Sequence, residues 1–143
     1  MQLRFKKVDR RGHTPTQARA SDAGLDLEAT EDHLIEPGER TLIGTGLAVE
    51  IPPNHAGLVL PRSGLATRHG LTLINAPGLI DAGYRGEVRI AVVNHDRSEP
   101  VKIGRGDRVA QLVVVALPSV EPVLVDELSD SERGTEGFGS SGS

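Results

Sequence analysis

The sequence predicts an all-β domain of sandwich or jelly-roll type, on three observations. Short runs rich in Val, Ile, Leu and Thr recur along the chain. Gly, Pro, Asn and Asp punctuate them at close intervals, and only one segment carries helix boundaries. The first run sets Leu3, Phe5 and Lys7 in alternation, and GLDLEA, TLIGTGLAVEIP, AGLVLP, LTLINAP, GEVRIAVVN and AQLVVVALP follow. Turn residues stand between them: Pro37-Gly38, Pro52-Pro53-Asn54, Asn94-His95-Asp96 and Gly104-Arg105-Gly106-Asp107. The one helix expected runs from Ser63 to His69, with Ser63 as its cap and Gly70 as its stop. Leu112 to Leu117 reads LVVVAL, apolar on both faces, so this strand is either central in the sandwich or buried at a subunit interface.

Length and composition bound the rest. At 143 residues the chain has the size of one ordinary domain, and 37% apolar residues suffice for a core. It has no cysteine, which rules out disulfides and thiolate zinc sites and suits a reducing compartment. No run approaches the ~20 apolar residues that span a bilayer. The start, MQLRFKKVDRR, lacks the apolar stretch of a signal peptide, so a cytoplasmic location is expected. A net charge of −4 argues against wrapping nucleic acid but not against a small anion, which a few arginines and amides can neutralise locally. With one Tyr, two Phe and no Trp, the core must be aliphatic. Two of these three rings, Tyr84 and Phe138, fall in Gly-rich stretches rather than in strand-like runs. From Glu127 the chain turns polar and Gly/Ser-rich, which divides it into a folded domain, residues 1–126, and a flexible arm, residues 127–143.

Five segments carry residues suited to chemistry. In Ser21-Asp22-Ala23-Gly24-Leu25-Asp26-Leu27, Asp26 lies between two leucines at strand spacing, as a solvated strand residue or as a ligand group. In Pro61-Arg62-Ser63-Gly64-Leu65-Ala66, a strand gives way to a helix start. Free N–H groups, a hydroxyl and a guanidinium there suit an anion, although an ordinary cap with a surface arginine has the same pattern. The run from Asn75 to Glu87, NAPGLIDAGYRGE, is flanked by strand-like sequence and reads as a β-hairpin. As a ligand arm it offers the Asn75 amide as donor and acceptor, Asp81 as a base and Tyr84 as a flat surface; otherwise Asp81 caps a turn and Tyr84 covers a flank. In GDRVAQL, Gln111 interrupts an apolar run and must find hydrogen-bond partners. In RGTEGFGSSG, alternating small residues offer unhindered amides for oxyanions, without the Lys of a Walker loop; the alternative is a disordered end with one stray aromatic.

In this order, AGLDL, PRSGLA, NAPGLIDAGYRGE, GDRVAQL and RGTEGFGSSG resemble the five motifs of the trimeric dUTPase family, over Ala23 to Gly142. The resemblance implies a distorted jelly-roll β-sandwich or barrel with one short helix, assembled as a threefold homotrimer with active sites at subunit interfaces. It implies a dUTP diphosphatase, hydrolysing dUTP to dUMP and pyrophosphate with Mg²⁺, which keeps uracil out of DNA and supplies dUMP for thymidylate synthesis. By similarity, Asp81 activates the attacking water. Arg62, Ser63, Gly64 and Gln111 hold the phosphates. Asn75 and the backbone of Gly78, Leu79 and Ile80 read uracil, and Tyr84 packs on the deoxyribose. Arg89 joins the substrate-binding set. Arg133 and the amides of Gly139, Ser140 and Ser141 reach the outer phosphates with Phe138 over the base, and Asp26 holds Mg²⁺ through water.

Three other readings fit the residues less well. A dCTP deaminase of related fold would carry a different segment around Asp81. A non-catalytic nucleotide- or partner-binding β-protein would not need Asp26, Asp81 and the Arg/Gly/Ser tail together. A nucleic-acid-binding barrel is disfavoured by scarce aromatics and an acidic balance. The spacing of His13, His33, His55, His69 and His95 suits no metal site.

Overall fold

The computed structural model describes residues 1–132, Gly134 and Thr135. These are mostly β with one short helix. The strands are β1 (Arg4–Lys7), β2 (Leu25–Glu28), β3 (His33–Ile35), β4 (Arg40–Glu50), β5 (His55–Pro61), β6 (Leu71–Leu73), β7 (Gly78–Ile80), β8 (Glu87–Asn94), β9 (Val101–Ile103) and β10 (Arg108–Ala116), with α1 (Ser63–His69) between β5 and β6. Every strand pairing is antiparallel. One four-stranded sheet has the order β1-β4-β8-β6, a second has β2-β10-β5-β7, and β3 pairs with β9. The runs read from the sequence all form strands; β3, β7 and β9, three residues each, are additions.

The two larger sheets enclose an aliphatic core. Its buried members are Leu, Ile, Val and Ala, including Leu27, Ile43, Val59, Leu71, Ile90, Val109 and Leu112, with no aromatic ring among them. Phe5 packs at the margin, half-buried. The inward alternation of β8, with Val88, Ile90 and Val92 buried around an exposed Arg89, is the expected signature of a strand with one core face.

The strand-like runs that flank Asn75 to Glu87 pair as the arms of a hairpin, β6 with β8 in the antiparallel register Leu71↔Asn94, Thr72↔Val93 and Leu73↔Val92, but the residues between them are not a simple turn. β7 leaves β8 and pairs with β5, in the register Gly57↔Ile80, Leu58↔Leu79 and Val59↔Gly78. β8 pairs instead with β4 and β6. The chain therefore crosses from the edge of one sheet to the edge of the other and back. Gly78 and Ile80 point inward on β7 while Leu79 faces out. A local pattern of two strand-like runs does not say that the connection between them will lend a strand to another sheet.

β10 lies inside the second sheet only along part of its length. β2 accompanies it from Arg108 to Leu112, and β5 continues to Ala116. Beyond Leu112 the β2-side edge is open, and Val113, Val114 and Val115 are half-buried there. The last backbone bond to the body in this region is from the Leu117 N–H to the Asn54 carbonyl, 2.7 Å. Residues 118–132 form no strand or helix and are exposed, Val120, Val123, Leu124 and Leu128 among them.

Asn94, one of the expected turn residues, is also the last residue of β8 and is fully buried. Its Nδ2 donates to the Ile35 and Glu99 carbonyls, 3.0 Å each, and its Oδ1 accepts the Asp96 amide at 2.9 Å. Its own N–H donates to Glu39 and its carbonyl accepts from Gly38. The next turn continues the pattern, because the Ser98 and Glu99 amides donate to the Asp96 carboxylate and hold its pKa below the usual range. Replacing Asn94 by Ala strands buried carbonyls and an amide without partners. The expected loss is about 3 kcal/mol of stability, read from equilibrium denaturation of the purified protein.

Candidate functional site

The first, second and fourth chemical segments meet where β2, β10 and the β5–α1 junction converge. Gln111 stands opposite Asp26 on β2 and Leu60 on β5. Its Nε2 donates to the Pro61 carbonyl at 3.0 Å, which satisfies one side of the amide. Asp26 is not a solvated strand residue: its side chain is only 14% exposed and sits between two guanidiniums. Arg62 Nε lies 3.3 Å from Oδ1 and Arg108 Nη1 lies 3.2 Å from Oδ2. Arg62 also donates from Nη1 to the Arg108 carbonyl, 3.1 Å. Two cations on one carboxylate leave unused donors and a local positive excess.

The helix start differs from the expectation in one respect. Arg62, not Ser63, occupies the cap position, and no side chain bonds there. The Arg62 carbonyl accepts from the Leu65 and Ala66 amides, 3.1 Å each, so Ser63 is the first helical residue. Gly70 ends the helix in the left-handed conformation, at φ 64, as expected. Beside this start lies a cleft of ≈ 390 Å³. Asp26, Arg62, Ser63, Gly64 and Gln111 line it, and so do Arg68 and Arg108. Its chemistry is that of an anion site: three guanidiniums, a hydroxyl, an amide side chain and a helix start.

The third segment builds a second cleft. Asn75, Gly78, Leu79 and Ile80 line a cavity of ≈ 220 Å³ together with Asp81, Tyr84 and Arg89. Asp81 follows β7 and is exposed; its carbonyl accepts the Tyr84 amide at 3.0 Å and closes the turn. Arg85 pins the same turn by donating to the Ala82 and Tyr84 carbonyls, 2.7 and 2.8 Å. The Tyr84 hydroxyl donates to the Glu87 carbonyl at 2.9 Å. The ring is 45% exposed, lines the cavity and takes no part in the core. The cavity thus offers an aromatic face, an amide side chain, a carboxylate and apolar walls, a combination suited to a small ring-shaped ligand with polar edges.

The two clefts share no lining residue. Within one chain, then, the structure gathers the expected residues into two groups and does not join them. Arg133, Phe138, Gly139, Ser140 and Ser141, of the fifth segment, lie outside the described residues.

Comparison with known proteins decides the family. The sequence model of the dUTPase family matches residues 10–142. The chain belongs to the dUTPase family. The deoxyuridine 5'-triphosphate nucleotidohydrolase of Thermobifida fusca is 49% identical over 142 residues, 99% of this chain and 79% of that protein. The protein of the same name from Anaeromyxobacter sp. is 51% identical over 143 residues, 98% of this chain and 97% of that one. Among solved structures, the Staphylococcus bacteriophage 80alpha dUTPase with dUpNHpp superposes with a TM-score of 0.92 at 32% identity, covering 99% of both chains. A variant dUTPase of phage phi11 of S. aureus, described with a structural Mg(II) ion, gives 0.82 at 28% identity, covering 89% of this chain and 98% of that one.

In this dUTPase-family chain, Arg68 and Arg108 are cleft residues that sequence reasoning missed. For Arg108 the reason is a bulge. Strict alternation would set Arg108 and Gln111 on opposite faces of β10. The register jumps between Arg108 and Ala110, so Arg108 pairs with Glu28 and returns to the side of Asp26. A further constraint is Gly24, where a Cβ would come within 2.5 Å of Gln111 Oε1 and 3.0 Å of its Cβ. Gly24→Ala is expected to push Gln111 off the Pro61 carbonyl, with about 1–3 kcal/mol of destabilisation from overpacking. A shifted or broadened Gln111 side-chain amide resonance, alongside the denaturation midpoint, checks both.

Proposed function

We propose that the chain hydrolyses dUTP to dUMP and pyrophosphate by water attack on the α-phosphorus, in sites shared between copies of a threefold homotrimer of distorted jelly-roll subunits. The observation that carries this is the division of the site: a cavity fit for a pyrimidine nucleoside on one side of the chain and an arginine-rich cleft fit for its phosphates on another. A second copy that brings its phosphate cleft to the first copy's nucleoside cavity completes the site, and cyclic closure gives three such sites. The open, apolar edge of β10 from Val113 and the exposed segment after Leu117 offer surface for that assembly.

The roles follow from chemistry. Asp81 takes the proton of the in-line water. Asn75 and the backbone of Gly78, Leu79 and Ile80 present donors and acceptors that pair with uracil and would be left unpaired by cytosine. Tyr84 packs beneath the deoxyribose, where a ribose 2′-OH would collide. Arg62, Ser63, Gly64 and Gln111 hold the phosphates, and Arg89 adds charge at the nucleoside side. The arm of residues 127–143 brings Arg133, Phe138, Gly139, Ser140 and Ser141 over the bound nucleotide as a closing lid on the 1–126 domain.

Among the described residues no three His, Asp or Glu side chains converge as a metal cage. A Mg²⁺ would take most of its ligands from phosphate oxygens and water, and Asp26, in the arginine-lined cleft, would accept from a metal-bound water. When bound, the ion neutralises phosphate charge and rigidifies the triphosphate. Among the described residues no helix is long and apolar enough to cross a membrane; the cysteine-free composition suits a reducing compartment such as the cytoplasm. There the reaction would keep uracil out of DNA and supply dUMP for thymidylate synthesis.

The deciding assay follows pyrophosphate and ammonia from dUTP, dCTP, dTTP and UTP with Mg²⁺. Pyrophosphate from dUTP alone is expected; ammonia from dCTP overturns the proposal. Asp81→Asn is expected to lower kcat by about 10³-fold while dUTP still binds, measured by single-turnover kinetics and calorimetry. Tyr84→Ala is expected to raise kcat/KM for UTP relative to dUTP by about tenfold or more, and an unchanged ratio removes Tyr84 from the sugar contact.

A further inference from the structure

β8 begins at Glu87, and its side chain does not follow the strand outward. β4 advances from Gly44 to Ala48 while its partner β8 goes only from Arg89 to Glu87, so β4 bulges toward the start of β8. Gly46, at φ 67, turns its N–H out of the ladder, and Glu87 Oε1 accepts it at 2.8 Å. Thr45 Oγ1 in the same bulge donates to the Val88 carbonyl at 2.6 Å. The bulge is itself held, since the Gly46 carbonyl accepts the Val8 amide at 2.9 Å and the Gly44 carbonyl accepts the Thr30 hydroxyl at 3.0 Å. Glycine at 44 leaves room for the carboxylate, because a Cβ there would lie 2.9 Å from Oε1.

The backbone of the same residue holds the ring. The Tyr84 hydroxyl donates to the Glu87 carbonyl, and a Cβ at Gly86 would run into the ring. Glu87 therefore fixes itself to β4 through its side chain and fixes Tyr84 through its carbonyl. Among the described residues the other carboxylate oxygen has only Arg89, at 3.9 Å, and the side chain is 31% exposed in the nucleoside cavity. A free acid beside an anionic substrate is unfavourable unless the acceptor is needed, and the bond it makes is to the bulge.

We infer that Glu87 is a positioning residue for sugar selectivity: by accepting the Gly46 amide it sets the carbonyl that orients the Tyr84 ring. The inference rests on the proposed dUTP hydrolysis, with Tyr84 against the sugar. It requires the hydrogen-bond acceptor of Glu87, not its charge, so Gln should serve and Ala should not.

The test compares wild type, Glu87→Gln, Glu87→Ala, Tyr84→Ala and the Glu87→Ala/Tyr84→Ala pair. The UTP:dUTP ratio of kcat/KM and the Tm are measured for each. Glu87→Ala is expected to raise the ratio about tenfold, Glu87→Gln to stay within about twofold, and the pair to match Tyr84→Ala alone, as for residues acting through one contact. A fall in Tm without a change in ratio, a Gln variant as defective as Ala, or multiplicative effects in the pair each overturns the inference. Tyr84 is the only tyrosine and there is no tryptophan, so its emission anisotropy reads ring order without turnover. Glu87→Ala should lower it and Glu87→Gln preserve it. If wild type does not hydrolyse dUTP, that loss belongs to the functional reading, and the anisotropy alone sustains or overturns the coupling of Glu87 to the ring.

Discussion

A buried backbone amide or carbonyl must be paired, and the segment from Leu71 to Asn94 meets that requirement for two sheets at once. β6 closes an edge of one, β7 an edge of the other, and β8 returns to the interior of the first. Everything in the cavity lined by Asn75, Asp81 and Tyr84 hangs on that path. Gly78 and Ile80 are held inward by pairing with β5, Asp81 stands where β7 lets go, and Tyr84 is turned back by the tight turn that follows. A hairpin of the same residues would have put them on one sheet and left no cavity between the two.

The arginine-lined cleft depends on a different device. Asp26, Arg62 and Arg108 come from three separate stretches of sequence and are gathered by a carboxylate with both oxygens engaged. Buried charge of this kind is tolerated only when paired. The pairing also holds the guanidiniums in the mouth of the cleft with donors to spare, so an arriving anion meets them already oriented.

Much of this was legible in the sequence. Runs such as TLIGTGLAVEIP and GEVRIAVVN announced β4 and β8 because their composition and length are unambiguous. The helix from Ser63 to His69 was legible from its flanking residues, although the cap fell on Arg62. β3, β7 and β9 were not, because three residues give no period to read. The arms β6 and β8 were legible as partners, but the excursion of β7 to β5 was not, because strand partnership is a long-range choice. For Asp26 the sequence left a solvated residue and a ligand group both open because its two cations are distant in sequence, and Arg108 was hidden by a bulge that reverses the face it occupies. The residues of the third segment line one cavity, since a short continuous stretch carries its own neighbours. That the two groups would stand apart on one chain could not be read from a linear string.

The ring-free core has a consequence for how the family can drift. Flat rings lock into few orientations, and exchanging one disturbs all its neighbours. Branched aliphatic side chains of similar volume replace one another at a cost of under about 1.5 kcal/mol when total volume is kept. A fold stabilised by Leu, Ile, Val and Ala can therefore change most of its interior letters in small, survivable steps. A Staphylococcus phage dUTPase at 32% identity still superposes with a TM-score of 0.92, so the fold itself persists through that much change in sequence.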